Sequence, residues 1–121
     1  MNTAHLLGKS GEKAAVNYLK SKGYRIRHLN WRHHRIELDI IAETAQQLVV
    51  IEVKSRHDLL FIHPSEAVDW RKVRHIVHAT HAYVLQHNID KEVRFDIIAV
   101  IPDHRGFAID HIEDAFIAPL G

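Results

Sequence analysis

The chain has 121 residues, of which 46% are hydrophobic, and its formal net charge is +1. This length predicts one domain over residues 1–121, and the hydrophobic content suffices for a packed core and excludes a disordered chain. Without cysteine, membrane-length apolar segments or an N-terminal apolar signal, the chain has no disulfides or thiolate metal sites, and we expect a cytoplasmic protein that does not enter membranes.

Apolar periodicity and turn residues predict seven elements in the order α-β-β-β-α-β-β. The predicted helices span residues 4–22 and 69–87, and the predicted strands span residues 24–32, 35–43, 48–55, 93–101 and 107–112. Gly23 ends the first helix, and Asp69 is expected to cap the second. This order favours a single α/β domain with one mixed, roughly five-stranded sheet and two helices packed on it.

The first helix and strand carry an excess of positive charge. Between Lys13 and Ile36 the sequence has seven Lys or Arg residues and no Asp or Glu. Such an asymmetry indicates a phosphate-binding surface, and a solvated helix and edge strand balanced by acids elsewhere is the alternative. The arginines expected on this surface are Arg25, Arg27, Arg32 and Arg35.

Residues 35–43 and 48–55 alternate with period two and are joined by a polar link short enough for a hairpin. Strict alternation predicts one apolar face and one face that carries the charges. The apolar face would hold Ile36, Leu38, Ile40, Val49, Ile51 and Val53, and the other Glu37, Asp39, Glu52, Lys54, Ile41 and Val50. Because Ile41 and Val50 share the second face, we expect that face to be covered as well.

If Glu43 pairs with Leu48, the same register predicts that Asp39 faces Glu52 and that Glu37 faces Lys54. Two opposed carboxylates destabilise a sheet unless a cation lies between them, and Mg²⁺ favours sites with one or two carboxylates. A register shifted by one residue would break this pairing, and a solvated charged face is the alternative explanation.

Two features of the later chain carry weaker signals. His75, His78 and His81 recur every third residue without an acidic partner, and we expect them to face solvent rather than bind a metal. The loop over residues 57–64 contains four consecutive apolar residues that would form a lid, a dimer contact or a segment folded onto the core.

Asp39 followed by Glu52-x-Lys54 resembles the core motif of the PD-(D/E)xK nucleases, the restriction-endonuclease-like superfamily. A longer set of residues is similar to the YraN-like family of small bacterial proteins over nearly the whole chain. This set includes Gly11-Glu12, Gly23-Tyr24, Asn30-Trp31-Arg32, Glu37-Leu38-Asp39, Ile51-Glu52-Val53-Lys54, Lys72 and Arg94-Phe95-Asp96.

The resemblance implies a restriction-endonuclease-like fold, similar to that of archaeal Holliday-junction resolvases, and a site for Mg²⁺ or Mn²⁺. Asp39 and Glu52 would bind the cation with the Val53 carbonyl, and Glu12 or Glu37 would complete the site. Lys54 would position a water or neutralise developing charge, and Lys72 would reach a phosphate. Asp96 would support the fold rather than the metal.

Three functions from different classes remain open. The first is a metal-dependent endonuclease that hydrolyses DNA, with branched or junction DNA among its substrates and a homodimer compatible with this role. The second is a module of the same fold that binds nucleic acid without cutting it. The third is a metal-binding or assembly protein that uses its 12 histidines. An intact set of Asp39, Glu52 and Lys54 favours the first, because a binding module has no need of it.

Overall fold

The computed structural model describes residues 3–55 and 69–116, and these residues form five strands and two helices in the predicted order. The elements are α1 (Thr3–Ser21), β1 (Arg25–His33), β2 (Ile36–Glu43), β3 (Gln47–Ser55), α2 (Trp70–Gln86), β4 (Glu92–Asp103) and β5 (Gly106–Ile112). The predicted fold class is therefore confirmed, with boundaries that differ by two residues or fewer. The apolar loop predicted over residues 57–64 lies outside the described residues.

The five strands form one mixed sheet in the order β1-β2-β3-β4-β5. β3 and β4 are parallel and the other neighbours are antiparallel, so the segment containing α2 is the crossover that a parallel pair requires. α1 packs on one face of the sheet and α2 on the other, and both faces are therefore buried. On the α1 side the buried residues are Ala15, Val16, Leu19, Ile40, Ala42, Val49, Ile51, Ile98 and Val100.

α2 covers the face for which coverage was expected from Ile41 and Val50. Its apolar side chains pack against those two residues, and the ones that are buried are Val73, Ile76, Ala79 and Tyr83. Asp69 caps this helix as predicted, since its carboxylate accepts hydrogen bonds from the backbone N–H groups of Arg71 and Lys72 at 3.0 and 3.4 Å. In the part of the chain that the structure describes, no helix combines the length and apolarity needed to cross a membrane.

The register of the β2–β3 hairpin is the predicted one at its closed end, where Glu43 pairs with Leu48 and Ile40 pairs with Ile51. Beyond Ile40 the predicted pairs Asp39–Glu52 and Glu37–Lys54 are not formed, because backbone pairing between the two strands stops there. The Asp39 side chain instead accepts a hydrogen bond from the Val53 backbone N–H at 2.9 Å. The hairpin therefore opens at Asp39, and a carboxylate replaces a strand partner.

The predicted faces of β2 are wrong at its N-terminal half. Ile36 and Leu38 pack with the α2 cluster, whereas Ile40 packs with the α1 cluster, so these residues do not share a face. The change of face coincides with Asn30 of β1, which has a left-handed φ of 52° and does not pair with Asp39 although its neighbours Leu29 and Trp31 pair with Ile40 and Leu38. This break interrupts the alternation opposite Asp39. Glu37, between Ile36 and Leu38, therefore lies on the α1 side and not beside Lys54.

Gly11 allows α1 to lie directly on the sheet. A Cβ atom at this position would be 2.8 Å from Cγ2 of Val100, a buried residue of β4. No side chain fits in that space unless the valine shifts. The close approach brings the adjacent Glu12 to β1, where it accepts a hydrogen bond of 2.7 Å from the Asn30 side chain.

Candidate functional site

Four charged side chains meet where the β2–β3 hairpin opens beside the N-terminus of α2. They are Asp39, Glu52, Lys54 and Lys72, called here the carboxylate–lysine cluster. Glu52 faces α2 and its side chain is only 7% exposed, and its Oε2 lies 3.5 Å from Nζ of Lys72. Its other oxygen, Oε1, is buried and receives no hydrogen bond from the described residues. A buried carboxylate oxygen without a donor is unusual, and it indicates a place for a further positive group.

The two carboxyl groups influence each other, and Glu52 is buried while Asp39 is partly buried. Burial raises the pKa of Glu52 to about 7, and the charge of Asp39 adds to this effect while Lys72 and Lys54 oppose it. Burial also raises the pKa of Asp39, against the hydrogen bond from the Val53 N–H and the charge of Lys72. Raised pKa values at a pair of neighbouring acids are typical of sites that hold a proton or a cation between them.

The two lysines of the cluster have different surroundings. Lys54 extends from the central strand β3, and burial and then its neighbour Lys72 lower its pKa. Lys72 lies in the first turn of α2 with a side chain that is 49% exposed. Burial opposes its charge, but its side-chain contact with Lys54, which loses its proton more readily, and the charge of Glu52 raise its pKa above the usual value. Lys54 is therefore the inner cation of the cluster and Lys72 the outer one.

A pocket opens over this cluster, with Glu52, Lys54, Asp69 and Lys72 on its polar side. Its apolar wall consists of Val73, Ile76, Ile97 and Phe116. The arrangement resembles a binding site in general form, with a few convergent charges beside an apolar surface.

Glu12 and Glu37 approach Asp39 from the opposite side of the sheet. Burial raises the pKa of Glu12 against the hydrogen bond from Asn30, and the charges of Asp39 and Glu37 raise it further. Glu37 also forms a 2.9 Å ion pair with Arg32 on β1. Within the described ranges, no three His, Asp or Glu side chains already surround a common metal position. The structure thus brings Asp39 and Glu52 together and leaves Glu12 and Glu37 as neighbours on the far side.

The unpartnered Glu52 oxygen makes the donor set compatible with a hard divalent cation. Such cations take carboxylate and carbonyl oxygens as ligands, which Asp39, Glu52 and the Val53 carbonyl supply. Asn30 positions Glu12 near the site through its hydrogen bond to the Glu12 carboxylate. The sequence did not predict this role, because an isolated Asn in a strand carries no metal-binding signal. The available signal was the residue type, because Asn adopts left-handed backbone more readily than other non-glycine residues and so indicates an irregularity when it lies within a predicted strand.

The four arginines expected at a phosphate-binding surface are not equivalent. Arg27 is 22% exposed and donates a hydrogen bond of 2.7 Å to the Tyr83 hydroxyl, and it also pairs with the buried Glu43 at 3.3 Å. Arg25 pairs with Glu43 at 3.4 Å but is 79% exposed, and Arg32 is 67% exposed beside Glu37. Arg35 lies exposed in the β1–β2 turn. Arg27 therefore joins β1 to α2, whereas the other three extend into solvent.

Asp96 and the histidines of α2 lie outside the carboxylate–lysine cluster. Asp96 is fully buried and accepts hydrogen bonds from Arg94 and from the Asp114 backbone, and it lies 2.7 Å from His111. These contacts fasten β4 to β5 and the segment after it, as expected for an acid that supports the fold. The histidines at positions 75, 78 and 81 are exposed on α2, as predicted.

Fold and cluster together define a class: an α/β protein whose two helices sandwich a mixed sheet, with two carboxylates and two lysines close together where the central hairpin opens. The chain belongs to the uncharacterised protein family UPF0102, whose family model matches residues 11–100. This membership confirms the family resemblance expected from the sequence. The matched region contains the entire carboxylate–lysine cluster.

Curated relatives from several bacteria match nearly the full length of the chain. A UPF0102 protein of Bacteroides thetaiotaomicron is 53% identical over 114 residues, which cover 94% of both chains. One of Parabacteroides distasonis is 50% identical over 113 residues, with 93% of both covered. One of Flavobacterium psychrophilum is 44% identical over 110 residues, covering 91% of this chain and 92% of the relative.

Proposed function

We propose that the protein is a metal-dependent nuclease that hydrolyses phosphodiester bonds in DNA. The observation that carries this proposal is the buried, unpartnered Oε1 of Glu52 beside a second, partly buried carboxylate, Asp39. Two neighbouring carboxylates repel each other, and a cation bound between them would relieve that repulsion and satisfy the free Glu52 oxygen.

Asp39, Glu52 and the Val53 carbonyl would hold Mg²⁺ or Mn²⁺, with Glu12 or Glu37 reaching it from the α1 side. When bound, such a cation lowers the pKa of a coordinated water and offsets negative charge on the phosphate. The support for this assignment is the oxygen-only donor set and the absence of cysteine from the chain.

The lysines supply the remaining charge. Lys54 is partly buried next to both carboxylates, so its ammonium group can orient a water or neutralise charge that develops on the phosphate. Lys72 is more exposed and lies at the outer edge of the cluster, where it can bind a neighbouring phosphate. Exposed Arg25, Arg32 and Arg35 would extend the contact along the nucleic-acid backbone.

Cleavage assays test the proposal directly. Linear, single-stranded and branched DNA, with junctions first because of the resemblance to junction resolvases, should be cut with Mg²⁺ or Mn²⁺ present. Asp39→Asn, Glu52→Gln and Lys54→Met should each abolish cutting, because each removes one member of the cluster. Asp110→Asn, at an exposed acid of β5, is the matched control and should retain full activity. Equal cutting by wild type and all three variants would identify a contaminant and end the catalytic proposal.

A module that binds nucleic acid without cutting it is the second candidate, and one observation favours it. Two lysines lie beside the two carboxylates, so the cluster is electrically balanced without any metal. DNA binding that persists while no substrate in the panel is cut would favour this module over the nuclease.

A further inference from the structure

We propose that Lys72 is an exchangeable counter-ion, which neutralises Glu52 while no cation is bound and moves to a phosphate of the nucleic acid when a divalent cation binds. Cation binding and nucleic-acid binding would then strengthen each other. This inference rests on the proposed function, since it concerns the cation and the phosphate of that same site.

The contact between Lys72 and Glu52 is loose. Nζ lies 3.5 Å from Oε2, longer than a good charge-assisted hydrogen bond, and the lysine side chain is 49% exposed. The second oxygen of Glu52 is not contacted at all among the described residues. A half-exposed lysine whose contact with a carboxylate is this long loses little when that contact breaks, because surface ion pairs contribute little.

The helix fixes the backbone of Lys72 and leaves its side chain free to move. Its N–H is held by the Asp69 cap at 3.4 Å, at the start of α2. From this fixed point the flexible four-carbon stem can move the ammonium group outward without disturbing the helix. Lys54 differs, because it extends from the interior strand β3 and its side chain is more enclosed.

Charge balance supplies the driving force for the exchange. Two carboxylates and two lysines sum to zero formal charge, and a divalent cation would leave the cluster with two positive charges. Lys72, as the more exposed lysine, is then repelled from the cluster and becomes available to a phosphate. Coupling of this kind is reciprocal, so a phosphate that retains Lys72 also raises the affinity for the cation.

The first experiment measures Mn²⁺ affinity without nucleic acid, by calorimetry and by electron paramagnetic resonance of free Mn²⁺ at pH 8. Lys72→Met should bind Mn²⁺ about fivefold more tightly than wild type, because the cation no longer displaces a lysine. Arg71→Met is the matched control, since Arg71 is also an exposed cation in the first turn of α2. It should leave the Mn²⁺ affinity unchanged, and Lys72→Arg should restore wild-type behaviour.

The second experiment measures binding of a phosphorothioate DNA junction, which resists hydrolysis, with and without Mn²⁺. Wild type should gain about fivefold in affinity when Mn²⁺ is added, and Lys72→Met should lose that gain. Arg71→Met should weaken binding equally in both conditions. Melting curves in chelator verify that all variants are folded.

Three outcomes would overturn the proposed exchange of Lys72. Unchanged or weaker Mn²⁺ binding by Lys72→Met overturns the exchange and leaves the nuclease proposal standing. An equal gain of Mn²⁺ affinity in Arg71→Met also overturns it, because the effect would then be general electrostatics. Absence of Mn²⁺ binding by wild type overturns both the exchange and the proposed function.

Discussion

At Glu52, burial and a neighbouring negative charge act together against the ionised carboxylate. The side chain is 7% exposed, and the pKa is raised from 4.5 to about 7. A folded-state pKa above the unfolded value means that the folded protein holds a proton that the unfolded chain has already released. Stability then falls as pH rises through the interval between the two values and is constant above it.

The raised pKa of Glu52 makes the effect of Glu52→Gln on stability depend on pH. In chelator, wild type should lose roughly 1–3 kcal/mol relative to the variant as pH rises from about 4.5 to about 7, because only wild type has the buried acid. Urea denaturation at several pH values measures this difference, and the subtraction cancels the titration of the 12 histidines. Glu92→Gln, at an exposed acid, is the control. A difference that does not change with pH would show that Glu52 titrates as an ordinary acid.

Asp39→Asn should also stabilise the metal-free protein, by about 1 kcal/mol, because it removes one of two neighbouring negative charges at nearly constant volume. The asparagine oxygen can still accept the hydrogen bond from the Val53 N–H, so the opened hairpin is retained. Mn²⁺ should raise the melting temperature of wild type, through binding to the folded state, and leave that of the variant nearly unchanged.

Melting curves of both proteins in chelator and in Mn²⁺ check this prediction. If Asp39→Asn is destabilising in chelator and Mn²⁺ shifts both proteins alike, Asp39 is a structural acid. The hairpin register predicted that Asp39 and Glu52 lie close together, although the direct strand pair between them on which that prediction rested is not formed. The hydrogen bond to Val53 was not predicted, because it depends on the end of strand pairing at Ile40.

Among the helices and strands, the features that depend on a few adjacent residues were predicted correctly from the sequence. The Asp69 cap, the short hairpin link and the closed-end register were all confirmed, since each depends on a few adjacent residues. The faces of β2 were predicted wrongly, because the alternation breaks at Asp39, opposite the left-handed Asn30 on the neighbouring strand. A period-two pattern within one strand contains no information about an irregularity in its partner.

The packing of α1 on β4 yields a prediction for Gly11→Ala. Alanine favours a helix by about 1 kcal/mol over glycine, so an open site would be stabilised. Here the new Cβ would be 2.8 Å from the buried Val100, and we expect a net loss of roughly 1–2 kcal/mol instead. Denaturant unfolding of Gly11→Ala, Val100→Ala and the double variant measures this.

The double variant separates the clash from other effects. In the Val100→Ala background the space is free, and Gly11→Ala should become neutral or stabilising. Ser10→Ala, at an exposed position one residue earlier in α1, controls for helix propensity. A stabilising Gly11→Ala in the wild-type background would mean that α1 moves away from the sheet without loss.

At the scale of the whole molecule, the seven-element order followed from periodicity, whereas the roles of the individual arginines did not. A run of cations in the sequence indicates a basic region but not which of its members the fold itself uses. Arg27 serves the fold because its partner Glu43 is buried, at 8% exposure, and needs positive neighbours. Glu43 also pairs with Lys91 at 3.2 Å. Burial acts to raise the pKa of Glu43. The hydrogen bond from Lys91 and the charge of Arg27 outweigh burial, so the pKa is lower than usual.

The arginines should therefore separate into two classes by their effects on stability and on DNA binding. Arg25→Ala, Arg32→Ala and Arg35→Ala should each lower the slope of log affinity against log salt by about one, the value for one lost phosphate contact. Arg27→Ala should destabilise the protein by roughly 1–3 kcal/mol, because it deprives Tyr83 and the buried Glu43 of a donor. Its salt slope should remain that of wild type.

Binding titrations at four or more salt concentrations and urea denaturation of each variant measure the two effects. Arg35→Ala is the sharpest comparison with Arg27→Ala, since Arg35 is an exposed arginine in the adjacent turn. Both variants remove the same charge, so a difference between them reflects position alone. A wild-type slope near zero, or slopes unchanged by removal of the three exposed arginines, would leave the basic region as solvated surface. A lower slope for Arg27→Ala with unchanged stability would place Arg27 at the nucleic acid and contradict its structural role.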